Sequence, residues 1–166
     1  MKEIELDNTL SREGLALAAK AIKTRHGSAT IALLASEDCK KALAQLAARH
    51  AGYLHGKPLL ATSGTCRAIR SLTDLEVRSV GHGPEGGDIV LANEVLARRV
   101  DLVIFLRSGM EVSPHEDDMR MLLRATNLTN CPLATNIATA EVLLAAFEAA
   151  SAEHVEVARE KVGAAR

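Results

Sequence analysis

Short apolar runs alternate along the chain with longer stretches in which apolar residues recur every three or four positions. Residues 30–35 (TIALLA), 58–62 (PLLAT), 75–80, 102–106 (LVIFL) and 132–135 (PLAT) read as strands. Runs such as LVIFL carry no polar alternation, which is the mark of strands buried on both faces of a parallel sheet. Helices are predicted from Ser36, a candidate N-cap, to about residue 50, and over 63–72, 88–99, 115–127 and 139–150. A further helix is predicted over 11–24, where Leu15, Ala18, Ala19 and Ile22 have helical spacing. His26-Gly27-Ser28 closes it. Residues 151–166 are rich in Ala and Glu and carry a marginal helical pattern.

Strands alternating with helices imply an α/β domain on a five-stranded, parallel, doubly wound sheet covered on both faces. Ligands of such sheets bind beyond the carboxyl ends of the strands. Those ends hold Ser36, residues 62–65, 82–88 and 107–118, and Thr135-Asn136, and polar and glycine residues concentrate there.

Composition sharpens this. The 166 residues are one domain's worth of chain, long enough to bury a core without staples. Two Phe, one Tyr and no Trp leave the core to Ala, Leu, Ile and Val and count against base-stacking platforms. A net charge of −1 counts against electrostatic nucleic-acid binding. Cys39, Cys66 and Cys131 are widely spaced, with neither CxxC nor zinc-ligand spacing. No HxH or HExxH pattern suggests a metal site. The first five residues are charged rather than signal-like, and no apolar run approaches the roughly 18 residues that span a bilayer. The expectation is a soluble cytoplasmic protein with no nucleic-acid or membrane partner.

Three clusters carry candidate chemistry. Thr62-Ser63-Gly64-Thr65 joins a strand to a helix, where backbone N–H groups and hydroxyls make an anion cradle. Taken alone it reads first as an ordinary N-cap, and it lacks the lysine of a nucleotide-binding P-loop. In Gly83-Pro84-Glu85-Gly86-Gly87-Asp88 the glycines permit close backbone approach, and Asp88 stands at a helix start. There it is either an N-cap or a general base, and a base there needs partial desolvation. In Pro114-His115-Glu116-Asp117-Asp118, His115 can donate to a substrate oxygen and Asp118, one turn on, can orient it. The alternative is an acidic helix start favoured by the macrodipole. His82 flanks the glycine loop. Anion cradle, carboxylate and His–Asp pair together suit proton abstraction next to a carbonyl on a small phosphorylated substrate.

At these residues the chain resembles the methylglyoxal synthase family. The most specific stretches are Gly83-Pro84-Glu85-Gly86-Gly87-Asp88 and Ala134-Thr135-Asn136-Ile137-Ala138-Thr139-Ala140. Ile31-Ala32-Leu33 through Cys39-Lys40, Ala61-Thr62 through Thr65, Leu102-Val103-Ile104-Phe105, Pro114-His115 and Leu122-Leu123-Arg124 match in the same order. The resemblance implies a single domain over 1–166, a three-layer α/β/α sandwich with an N-terminal helical extension (1–27) and a C-terminal tail (151–166). It implies a homohexamer that converts dihydroxyacetone phosphate to methylglyoxal and inorganic phosphate without metal or organic cofactor. In it Asp88 is the base, His115 the proton shuttle and Asp118 its acidic companion. Ser36, Lys40, Thr62, Ser63, Gly64, Thr65, His82 and Gly83 surround the substrate and its phosphate. The chain departs from the family at Ser36-Glu37, where the family has His-Asp. It also departs at Ser63, at His82 and at Arg107-Ser108-Gly109, where the family has Trp-Asp-Pro. Two other readings remain: action on another small phosphorylated sugar, and a non-catalytic metabolite-binding module of the kind found in carbamoyl phosphate synthetase.

Overall fold

The five apolar runs pair as one all-parallel sheet in the order β3-β2-β1-β4-β5. The strands are β1 (Ile31–Ala35), β2 (Leu59–Ala61), β3 (Val77–Ser79), β4 (Leu102–Leu106) and β5 (Leu133–Ala134). The computed structural model describes residues 29–107 and 116–163. Six α-helices lie among them: α1 (Lys40–Arg49), α2 (Ala51–Leu54), α3 (Ser63–Arg70), α4 (Gly87–Leu96), α5 (Glu116–Thr129) and α6 (Ile137–Gly163). The described residues fall in two compact units. The larger holds the sheet, α1 to α5 and α6 as far as Leu144; the rest of α6 belongs to the other.

Alternation along the strands sorts the core into two faces. Ala32, Leu34, Leu60, Val103 and Phe105 meet Leu91, Ala92 and Val95 of α4 and Leu122 and Ala125 of α5. Ile31, Leu33, Leu59, Ala61, Leu102 and Ile104, all buried, point the other way, where α1 packs on β1 and α3 on β3. Arg49 and His50, at the end of α1, bind Glu141 of α6. Helices therefore cover both faces, as a three-layer α/β/α sandwich requires. Each fully buried Leu or Ile stabilises this core by about 1.5–3 kcal/mol.

The chain lays β1, β2 and β3 outward in turn and then returns across β1 to start β4. The topological switch point thus lies between β1 and β4, where Ser36 N–H donates to Leu106 O (3.0 Å).

Several boundaries differ from the sequence pattern. Pro58 has no N–H to donate, so β2 begins at Leu59, while its carbonyl still accepts from Ile31 N–H (3.0 Å). β3 is short because it is the sheet edge, with Arg78 and Ser79 exposed. A 3-10 turn over Glu37–Cys39 precedes α1, and α2 adds a single turn that buries Tyr53 and Leu54. The last helix does not stop near residue 150 but runs on to Gly163. The predicted helix over 11–24 and the loop 108–115 lie outside the described residues. No helix among the described residues is long and apolar enough to cross a membrane.

Candidate active site

Two strand-end loops are stitched together beyond β2 and β3. Ser63 N–H donates to Gly81 O (2.9 Å), Val80 N–H to Ala61 O (3.0 Å), and the Ser63 and Ser79 hydroxyls are 2.9 Å apart. The first loop enters α3 through Thr62, whose extended backbone occupies the N-cap position without a side-chain cap. Its hydroxyl instead meets that of Thr65 at 3.2 Å. The first-turn amides of α3 thus carry no side-chain cap from Thr62. With Ser63 N–H donated to Gly81 O, the amides of Gly64 and Thr65 and the two hydroxyls beside them are the groups at this helix start that can form an anion cradle. Thr65 is fully buried.

The second loop aims Asp88. A 3-10 turn over Gly83–Glu85 is followed by Gly86, whose φ of 96° is left-handed and suits glycine. Gly87 opens α4 under the carbonyls of Gly81 and His82. A side-chain carbon there would stand 2.8 Å and 2.9 Å from those oxygens, so only glycine fits. Asp88 follows in the first turn of α4, with its Oδ1 shielded from solvent. A carbon added to Gly83 would stand 3.1 Å from that oxygen and 3.9 Å from Thr62 Cγ2. The carboxylate, Gly83 and Thr62 therefore converge.

Lys40 reaches the cradle from the β1 side. A carbon added to Gly64 would stand 2.6 Å from Lys40 Nζ and 3.1 Å from its Cε. The ammonium thus lies against the bare backbone of α3's first turn. The same Nζ donates to Glu37 Oε2, three residues earlier.

Other expected residues are placed differently. Ser36 stands at the switch point, but its hydroxyl donates to Asp38 Oδ1 (2.7 Å). His82 is exposed; its contribution is a carbonyl that accepts from Glu85 and Gly87 N–H (3.1 and 2.9 Å). Arg107 follows β4, with its guanidinium carbon 6.0 Å from the centre of the Phe105 ring. Asn136 Oδ1 caps α6 through Thr139 N–H (2.9 Å). His115 lies outside the described residues, as does the Asp118 side chain; its backbone is in the first turn of α5.

Sequence reasoning missed Glu37 and Ser79 as partners of Lys40 and Ser63. The three-residue spacing of Glu37 and Lys40 was the available signal for the first. Cys66, next to Thr65, is buried with its Sγ against Ala61 O at 3.6 Å. Burial pushes its thiol up, away from the reactive thiolate. Among the described residues no group of three or more His, Cys, Asp or Glu is placed to hold a metal ion. An open hollow of about 1020 Å3 lies at the opposite ends of β2 and β3, lined by Lys57, Arg70, Asp74 and Arg78 among others. It contains none of the candidate residues.

A shielded carboxylate against Gly83 and Thr62, and an ammonium against Gly64, are groups that can take a proton from a phosphate ester and hold it. No family model matches the chain. A methylglyoxal synthase of Caldicellulosiruptor saccharolyticus is 39% identical over 132 residues, covering 80% of this chain and 94% of the relative. One of Cupriavidus taiwanensis is 41% identical over 115 residues, covering 69% and 86%. The crystal structure of methylglyoxal synthase from Elizabethkingia anophelis superposes with a TM-score of 0.67 at 36% identity, covering 71% of this chain and 78% of that one.

Proposed function

The chain belongs to the methylglyoxal synthase family, and from that premise we propose that it converts dihydroxyacetone phosphate to methylglyoxal and inorganic phosphate. The observation that carries the reading is the convergence of Asp88 Oδ1 with Gly83 and Thr62 beside the cradle. In this mechanism the amides and hydroxyls at residues 62–65, with Lys40, hold the phosphate. The Asp88 carboxylate takes a proton from C3, and the electrons form the enediolate. That intermediate breaks its C–O bond to phosphate, and the resulting enol tautomerises to methylglyoxal. His115 relays protons at the substrate oxygens, with Asp118 as its companion. These two roles rest on the family likeness.

Family likeness also supports a homohexamer working in the cytoplasm, with the sheet and its helices as one catalytic domain, an extension over 1–27 and a tail over 151–166. Ile89 and Val90, apolar and 49% and 43% exposed immediately after Asp88, offer a second copy a surface to cover.

The test is product identification. Purified wild type incubated with dihydroxyacetone phosphate is expected to release methylglyoxal and phosphate in equal amounts. Phosphate binding without turnover would instead support a non-catalytic metabolite module. Turnover of another phosphorylated ketose or aldose, with none of dihydroxyacetone phosphate, would support a divergent enzyme.

A further inference from the structure

We propose that Glu37 is a positioning residue that competes with bound phosphate for the Lys40 ammonium and so sets how tightly the cradle holds anions. The inference deepens the reading of residues 62–65 as a phosphate cradle and rests on it. Lys40 Nζ has two neighbours. One is the bare backbone at Gly64, in the first turn of α3. The other is the Glu37 carboxylate. An arriving phosphate meets the start of that same turn, which Thr62 leaves without a side-chain cap, and draws on the same ammonium. Its gain is reduced by whatever Glu37 already supplies.

The exposures of the pair fit such an exchange. The Lys40 side chain is 23% exposed and anchored against the cradle, whereas that of Glu37 is 84% exposed. A carboxylate so exposed is well hydrated once released, so the ammonium changes partner at little cost. An exposed pair of this kind is worth only a small energy, which makes it a tuning device and not a lock. Glu37 touches none of the reacting atoms; it acts through Lys40.

Calorimetric titration of inorganic phosphate tests this on wild type, Glu37→Gln, Lys40→Gln and the double variant. No turnover is needed. Glu37→Gln is expected to tighten phosphate binding by about two- to fivefold and to lower KM by a similar factor, with kcat within about twofold. In the Lys40→Gln background the same substitution is expected to change nothing. Unchanged or weaker binding by Glu37→Gln overturns the proposal. So does an effect that persists without Lys40, because Glu37 would then act on the anion directly. Wild type that binds no phosphate overturns the cradle reading and this inference together; an unchanged Kd in Glu37→Gln alone overturns only the inference.

Discussion

Asp88 Oδ1 lies so close to Gly83 that a side-chain carbon on that glycine would stand 3.1 Å from it. The glycine therefore does more than bend the loop: its missing side chain is the space the carboxylate occupies. A contact that tight forces one partner to give by a few tenths of an ångström, and Asp88 is the softer of the two. Gly83→Ala is expected to lower kcat roughly tenfold through misplacement of the base. Thermal unfolding should show a fold that remains intact. Wild-type kcat in this variant would mean that the Asp88 position is not critical.

Gly87 is a different case. Its neighbours are the backbone carbonyls of Gly81 and His82, at 2.8 and 2.9 Å from an added carbon, and they have no side-chain freedom with which to yield. Gly87→Ala is expected to cost about 1–3 kcal/mol of stability, read by denaturant unfolding, and to lower activity as the loop shifts. Unchanged stability would contradict the close approach described for this turn.

Glu141 carries a pH-dependent part of the stability. Burial alone would push its carboxyl up. The hydrogen bonds from His50 (2.6 Å) and Arg49 (2.6 and 3.1 Å), together with their charges, outweigh that and hold it below the ordinary glutamate value. A depressed carboxyl stabilises the fold above its unfolded value of about 4.3 and loses that contribution as pH falls through the lower folded value. Glu141 is partly exposed, so Glu141→Gln is expected to cost at most about 1 kcal/mol near neutral pH. The difference from wild type should close as the pH drops towards about 3. A gap that stays constant from neutral to acid pH would contradict the pairing.

The sequence and the fold agree best where burial leaves no choice. LVIFL is buried at all five positions, and β4 occupies the run the pattern indicates. Edges and ends were less legible. Arg78 and Ser79 of β3 are exposed at the sheet edge, so no alternation marks its limits. Residues 151–163 contain no Pro, and no Gly before Gly163, to stop a helix that has already begun. The cradle was readable because hydroxyls and glycine follow an apolar run. The contact of Gly83 with Asp88 was not, since it depends on the left-handed turn at Gly86 and on the carbonyls packed over Gly87. Lys40 was recognisable only through family likeness. Its contact with Gly64 joins loops that follow two different strands, and no local pattern encodes such a meeting.

The central claim is that Asp88 acts as the base on a substrate held by the cradle beside it. The most direct measurement compares wild type and Asp88→Asn for phosphate release from dihydroxyacetone phosphate, alongside the affinity of each for inorganic phosphate. Asparagine keeps the size of the side chain but cannot take a proton. The expected result is a loss of kcat of at least about a hundredfold, with phosphate bound at least as tightly because a neighbouring negative charge is gone. Asp88→Asn turning over at close to the wild-type rate would contradict the account.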